Sequence, residues 1–202
     1  MDKSFCKKCG ELSPKCAIYE IPQNIKIDDL VNQVGFSNQE CLVCHINAQT
    51  IEEGLIINEK CDECCLCQFT CPEVSCEWNA EKALTLEKIC INEFLKLAIL
   101  IKSIFPHYLV GTEVHVKGNS RTKRIDVVVV KDSEIVLIKA LSNIDKIPLY
   151  SRSYDDVKNY YGDCFGRDIK NVCLIPEKKK ENATMFEHPF CTLKELIDEL
   201  GE

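Results

Sequence analysis

Arginine is missing from the first 79 residues of this 202-residue chain. That stretch carries 6 Lys and 13 Asp/Glu, a net of −7, whereas residues 80–202 carry 19 Lys/Arg and 19 Asp/Glu and sum to zero. Guanidinium groups are confined to Arg121, Arg124, Arg152 and Arg167. The overall charge of −7 excludes a broad basic nucleic-acid footprint and leaves room only for a local patch. A long apolar run is missing too. The richest stretch, 89–101, is interrupted by Glu93 and Lys96. It falls short of the ~20 residues that cross a bilayer, so it reads as a core helix, and no membrane partner is expected. The opening Met-Asp-Lys-Ser is not a secretory signal, which makes a reducing, cytoplasmic location the expectation. The composition is not that of a disordered chain, since 46% of residues are hydrophobic and 28% charged.

Cysteine is abundant instead. Of the 15, eleven lie before residue 77 and four after it. An odd number clustered in C-x-x-C pairs argues against a disulfide framework. Charge and cysteine content change at the same place, so two domains are expected, 1–79 and 80–202.

The most specific pattern is CDECCLCQFTCP, residues 61–72. Cys61, Cys64, Cys67 and Cys71 are spaced C-x2-C-x2-C-x3-C, and Pro72 follows. Three thiolates on one tight loop can converge on three corners of a cubane cluster. The fourth lies further on, before a proline that turns the chain away, and so can serve a different cluster. Zinc is the competing occupant of such thiolates. Cys65 falls between ligand positions and reads as a packing thiol. Upstream stand Cys6-Lys-Lys-Cys9-Gly, Cys16, and Cys41-Leu-Val-Cys44-His45. Cys6, Cys9, Cys16 and Cys41 would also suit a separate zinc knuckle. Residues 28–36 read as a short helix and 54–60 as a short strand, whereas His45 and His107 read as ordinary histidines.

Over roughly residues 41–76 the chain resembles two-cluster bacterial ferredoxins. The resemblance implies one [4Fe–4S] cluster on Cys61, Cys64 and Cys67, with Cys44 as the remote fourth ligand. Cys71 would belong to a second cluster whose other ligands come from among Cys6, Cys9, Cys16 and Cys41, with Cys76 able to complete either, so that ten cysteines compete for eight places. His45 stands where that pattern has proline, and the first motif is dispersed.

The second half reads as α/β. Leu84, Leu86, Ile89, Ile91, Leu95, Ala98, Ile99, Ile101 and Ile104 keep a mostly helical spacing, which predicts one long helix over 80–104, ended by Pro106. Residues 109–117 alternate, with Val110, Thr112, Val114 and Val116 expected on one face and Glu113, His115 and Lys117 on the other. Two strongly apolar strands follow, 124–130 and 135–141, joined as a hairpin by 131–134. With Asp132 and Ser133 in the loop, Lys131 faces Glu134, Val130 meets Ile135, Val128 meets Leu137, and Asp126 meets Lys139. Two charges in apolar strands are costly unless paired or used. They form either an ion pair that fixes register or the centre of a site. Nearby, Lys117, Arg121, Lys123 and Arg124 make a basic loop suited to phosphate or simply to water. A helix is expected over 153–161, with Tyr154, Lys158 and Tyr161 on one face. A buried strand over 171–176, a solvated Lys178–Lys180 run and a final helix over 193–200, capped by Thr192 with Glu195, complete the chain. Cys90, Cys164, Cys173 and Cys191 read as core thiols.

Over roughly residues 80–176 the chain resembles the PD-(D/E)xK nuclease superfamily. The resemblance implies a restriction-endonuclease-like fold, a mixed sheet flanked by helices, behind a small loop-rich iron–sulfur domain. It implies Asp126 as the first acid, Lys139 as the lysine that positions water, and Mg²⁺ as the metal. Leu137 occupies the place of the second acid, and strand alternation puts Glu134 on the wrong face to replace it. Glu113 or Glu93 would then supply the missing carboxylate, with Asp126 and Glu113 as metal ligands; otherwise the fold has been kept and cleavage lost. Lys158 and Tyr161 match polar positions of the following helix. The function implied is DNA binding with Mg²⁺-dependent phosphodiester hydrolysis, the cluster bracing or sensing. Two other classes fit the residues: a ferredoxin-type electron-transfer subunit docking a protein redox partner, and a zinc-bound DNA-binding module. A homodimer is compatible with any of them.

Overall fold

A computed structural model describes residues 21–33, 49–51, 55–57, 80–119, 121–162 and 164–202. Cys6, Cys9, Cys16, Cys41, Cys44, Cys61, Cys64, Cys65, Cys67, Cys71 and Cys76 all lie outside the described residues, and so do the cluster assignments made on them. In chain order the helices and strands are α1 (Ile27–Val31), a small antiparallel pair β1 (Gln49–Ile51) and β2 (Leu55–Ile57), then α2 (Ala80–Asn92), α3 (Phe94–Ile104), β3 (Leu109–Lys117), β4 (Thr122–Val130), β5 (Glu134–Ala140), α4 (Ile147–Tyr161), β6 (Asp168–Leu174), α5 (Lys180–Ala183), β7 (Phe190–Cys191) and α6 (Leu193–Leu200). No helix among the described residues is long and apolar enough to cross a membrane.

β3 to β7 form one mixed sheet in sequence order. β3, β4 and β5 run antiparallel, while β5, β6 and β7 run parallel. The parallel step requires a crossover, and α4 supplies it. The β-branched runs Val127–Val130 and Ile135–Ile138 fit a strand covered on both faces. Val127, Val129, Val136 and Ile138 pack toward α2, α3 and α6; Val128, Val130, Ile135 and Leu137 pack toward α1 and α4. The chain therefore has the α/β architecture of a five-stranded mixed sheet with helices on both faces.

Residues 21–33 lie in the acidic first part of the chain yet build on this sheet. Thr112 N donates to Pro22 O at 2.9 Å, Asn24 N to Thr112 O at 3.0 Å, and His115 N to Ile25 O at 2.6 Å. Ile21, Ile27 and Leu30 are buried in the two cores. The segment covers the β3 edge, which would otherwise present unpaired backbone groups.

The expected single helix over 80–104 is two helices. Glu93 separates them, at φ −124° and ψ 89°. Its N–H closes α2 on Ile89 O at 2.8 Å, and its carbonyl opens α3 by accepting from Lys96 N at 2.8 Å and Leu97 N at 3.2 Å. Six successive residues of α3, Lys96 to Ile101, are buried, whereas α2 buries one stripe. A straight helix would have carried that stripe onward; the break lets α3 run through the core. α4 begins six residues earlier than the expected Ser153, at Ile147, with Pro148 in its first turn and an Asn143-capped 3-10 turn before it. β6 likewise starts at Asp168 and ends at Leu174, earlier than expected at both ends. The Lys178–Lys180 run is folded into a 3-10 turn and α5. The Thr192–Glu195 capping box of α6 forms as expected. Cys90, Cys173 and Cys191 are buried, but Cys164 is exposed, because it sits in the loop after α4 and not on an element.

Candidate functional site

The β4–β5 ladder follows the expected register: Val130 opposite Ile135, Val129 opposite Val136, Val128 opposite Leu137, Val127 opposite Ile138. One step further brings Asp126 to Lys139. Lys139 Nζ donates to Asp126 Oδ1 at 2.5 Å, and Ala140 N donates to Oδ2 at 3.0 Å. The Asp126 side chain is 3% exposed and that of Lys139 16%. Burial pushes the Asp126 carboxyl above its ordinary pKa; the hydrogen bond and charge of Lys139 and the Ala140 N–H pull the other way without cancelling it.

Two aromatic rings stand over the ammonium. Its nitrogen lies 5.1 Å from the ring centre of Tyr150, in the first turns of α4, and 6.0 Å from that of Phe94, the first residue of α3. Cys173 of β6 is the register partner of Lys139. Burial pushes its thiol up to about 12, so at neutral pH it stays protonated and unreactive. Tyr150 and Cys173 were invisible as site residues in the sequence. Pro148, well suited to a helix start, was the available signal for Tyr150.

Glu113 has a different setting. The β3–β4 pairs Thr112–Val127 and Val114–Ile125 bracket it opposite Asp126, and that one rung is absent from the ladder. Its φ is +52°, a left-handed value that a non-glycine residue rarely adopts. Alternation breaks on both strands at this level. Val110, Val127 and Val129 pack toward α3, yet Val114, Val116 and Ile125 pack toward α4. The expectation that Val110, Val114 and Val116 share a face therefore fails: the positive φ turns β3 over between them, and β4 turns with it. The Glu113 carboxylate pairs with Arg124 at 2.9 Å.

The remaining predicted residues are dispersed. Glu93 is exposed at the α2–α3 junction, with no hydrogen bond to the pair. Lys158 is exposed, whereas Tyr161 is buried, stacked on Phe165 at 4.9 Å, its hydroxyl accepting from Lys117 N at 3.0 Å. Tyr161 thus ties α4 to β3 and is no neighbour of Lys139; the Tyr154 side chain is not among the described ones. In the basic loop, Lys123 pairs with Asp156 at 2.6 Å and Arg124 with Glu113. Asp156 also accepts from Asn119 N at 3.1 Å, and a Cβ on Gly118 would stand 2.4 Å from its Oδ2, so any larger residue there would push that carboxylate aside. Lys117 and Arg121 are exposed and have no ion-pair partner among the described residues.

Mg²⁺ takes six oxygen ligands, commonly one or two carboxylates with water and phosphate. Here Leu137 is fully buried in the second acid's place, Glu113 is held by Arg124, and both Asp126 oxygens are already bonded. No group of three His, Cys, Asp or Glu side chains converges as metal ligands among the described residues. The arrangement does not fit Mg²⁺.

No family model and no curated protein matches the chain. Among solved structures, the crystal structure of AF1548, a protein of unknown function, aligns at TM-score 0.32 and 18% identity, over 54% of this chain and 58% of that one. The chain thus spans less than two thirds of the length of that protein.

Proposed function

We propose that this chain is a DNA-binding protein of the PD-(D/E)xK nuclease class, with a restriction-endonuclease-like domain that residues 21–33 help to build and an iron–sulfur site on cysteines of residues 1–79. The observation that supports it is the Asp126–Lys139 pair. An acid on the second strand and a lysine on the third stand side by side in the order helix, three antiparallel strands, helix, parallel strand. Lys117 and Arg121, exposed at the β3–β4 turn, offer phosphate contacts. The absence of a second acid beside Asp126 favours binding without cleavage, since hydrolysis with Mg²⁺ would need one.

The test is one anaerobic preparation of the full chain, assayed for iron and sulfide, for binding to duplex, single-stranded and branched DNA, and for nicking with and without Mg²⁺. Iron, sulfide and DNA binding without nicking support the reading. Nicking that Asp126→Ala and Lys139→Ala both abolish would make it an active hydrolase. Zinc in place of iron would remove the cluster.

A second reading is an electron-transfer subunit. The −7 charge of residues 1–79 favours it, as does a sheet whose one buried acid is already paired. Reversible one-electron reduction with no affinity for any DNA would select it.

A further inference from the structure

We infer that Asp126 and Lys139 are a register clasp between β4 and β5, and that Asp126 is not a cation ligand. The inference goes beyond the nucleic-acid reading: it is compatible with DNA binding without cleavage, and Asp126-dependent nicking with Mg²⁺ would contradict it.

The strands need such a device. β4 offers four identical residues, Val127 to Val130, to the aliphatic run Ile135 to Ile138 of β5. Valine against aliphatic is nearly as good one residue out of step, so these rungs specify register weakly. The charges specify it strongly. In one slip Asp126 would face Ile138 and Lys139 would face Ile125; in the other, Asp126 would face Ala140 and Lys139 would face Val127. Either leaves the buried Asp126 carboxylate unpaired and parts the partly buried Lys139 ammonium from its counter-ion, which is strongly unfavourable. In the observed register they meet at 2.5 Å.

The same geometry disfavours a cation. Each Asp126 oxygen keeps a second lone pair, but a divalent ion there would share Oδ1 with the Lys139 ammonium or Oδ2 with the Ala140 N–H. The first sets a dication beside the ammonium, beneath Phe94 and Tyr150. The second weakens a partly buried backbone hydrogen bond. The place of the second acid, which would offset either cost, is taken by Leu137.

The experiment compares the wild type with Asp126→Asn, Lys139→Met and the double variant Asp126→Leu/Lys139→Met, all as full chains. Each single substitution strands one buried charge or breaks the pair and should lower Tm by on the order of 10 °C. The double variant should recover most of that loss while losing register. Its amides at 127–130 and 135–138 should exchange hydrogen at least tenfold faster or show split resonances. Mn²⁺ titration should give the same stoichiometry for wild type and Asp126→Asn. A double variant with wild-type exchange protection and a single set of resonances overturns the clasp. An Mn²⁺ ion bound by the wild type and lost in Asp126→Asn overturns the exclusion. Duplex binding on the same samples tests the nucleic-acid reading independently.

Discussion

The β4–β5 and β3–β4 hairpins share β4 and carry similar chemistry, yet they treat their charges in opposite ways. On the β5 side, Asp126 is buried and Lys139 16% exposed, the two bonded at 2.5 Å, and alternation runs undisturbed down to them. On the β3 side, Glu113 and Arg124 pair at 2.9 Å where Arg124 is 59% exposed, at the point where the strand reverses its faces. A pair with a buried carboxylate constrains the backbone because that carboxylate has no other partner to turn to. An exposed pair, worth under about 1 kcal/mol, adapts to a backbone bent for other reasons.

Leu137→Glu should break the comparison most severely. Leu137 is fully buried against the α4 side, so the new carboxylate would be desolvated beside Val128 and Ile135. A loss of more than about 4 kcal/mol is expected from denaturant midpoints, and Mg²⁺ should not recover it. Recovery with Mg²⁺ would mean that position 137 still faces a metal pocket.

Lys139→Met comes next, at about 3–5 kcal/mol, since it leaves Asp126 buried without its cation. The pH dependence gives its sign. A carboxyl raised in the folded state binds more protons there than in the unfolded chain. Stability therefore falls as pH rises from the ordinary carboxyl range through the raised pKa. Removing Lys139 removes the largest opposing influence and raises the pKa further. The variant should lose less stability at pH 5 than at pH 7.5, and an equal loss at both would mean that Asp126 had reached water.

Glu113→Val should cost about 2 kcal/mol even though valine suits strands, because a β-branched residue resists a φ of +52°. Glu113→Gly should stay within about 0.5 kcal/mol of wild type, glycine's freedom offsetting the lost pair. A stabilising Glu113→Val would show that β3 does not turn over. Smallest of all, Arg124→Ala should change thermal stability by less than about 0.5 kcal/mol and weaken further in its effect as salt is added.

Where a pattern was local or repeated, the residues announced the structure. The apolar runs at 125–130 and 135–138, the loop at Asp132 and Ser133, and the Thr192–Glu195 box read directly because period, turn and cap are short-range. The clasp was legible for the same reason: a hairpin register is arithmetic once its loop is known. The break at Glu93 was not, since no proline or glycine marks it and it goes with the burial of α3 on all sides from Lys96 to Ile101. Tyr150 and Cys173 escaped because they reach Lys139 from other elements, and separation along the chain does not report distance across a crossover.

By itself, then, the sequence determined the α/β class, the pairing of β4 with β5, and the meeting of Asp126 with Lys139. Only the tertiary structure decided that β3 turns over at Glu113, that each Asp126 oxygen already accepts a hydrogen bond, and that residues 21–33 seal the sheet edge. Strand pairing is set by neighbours in sequence. Faces, lids and edges are set by what the rest of the chain must bury.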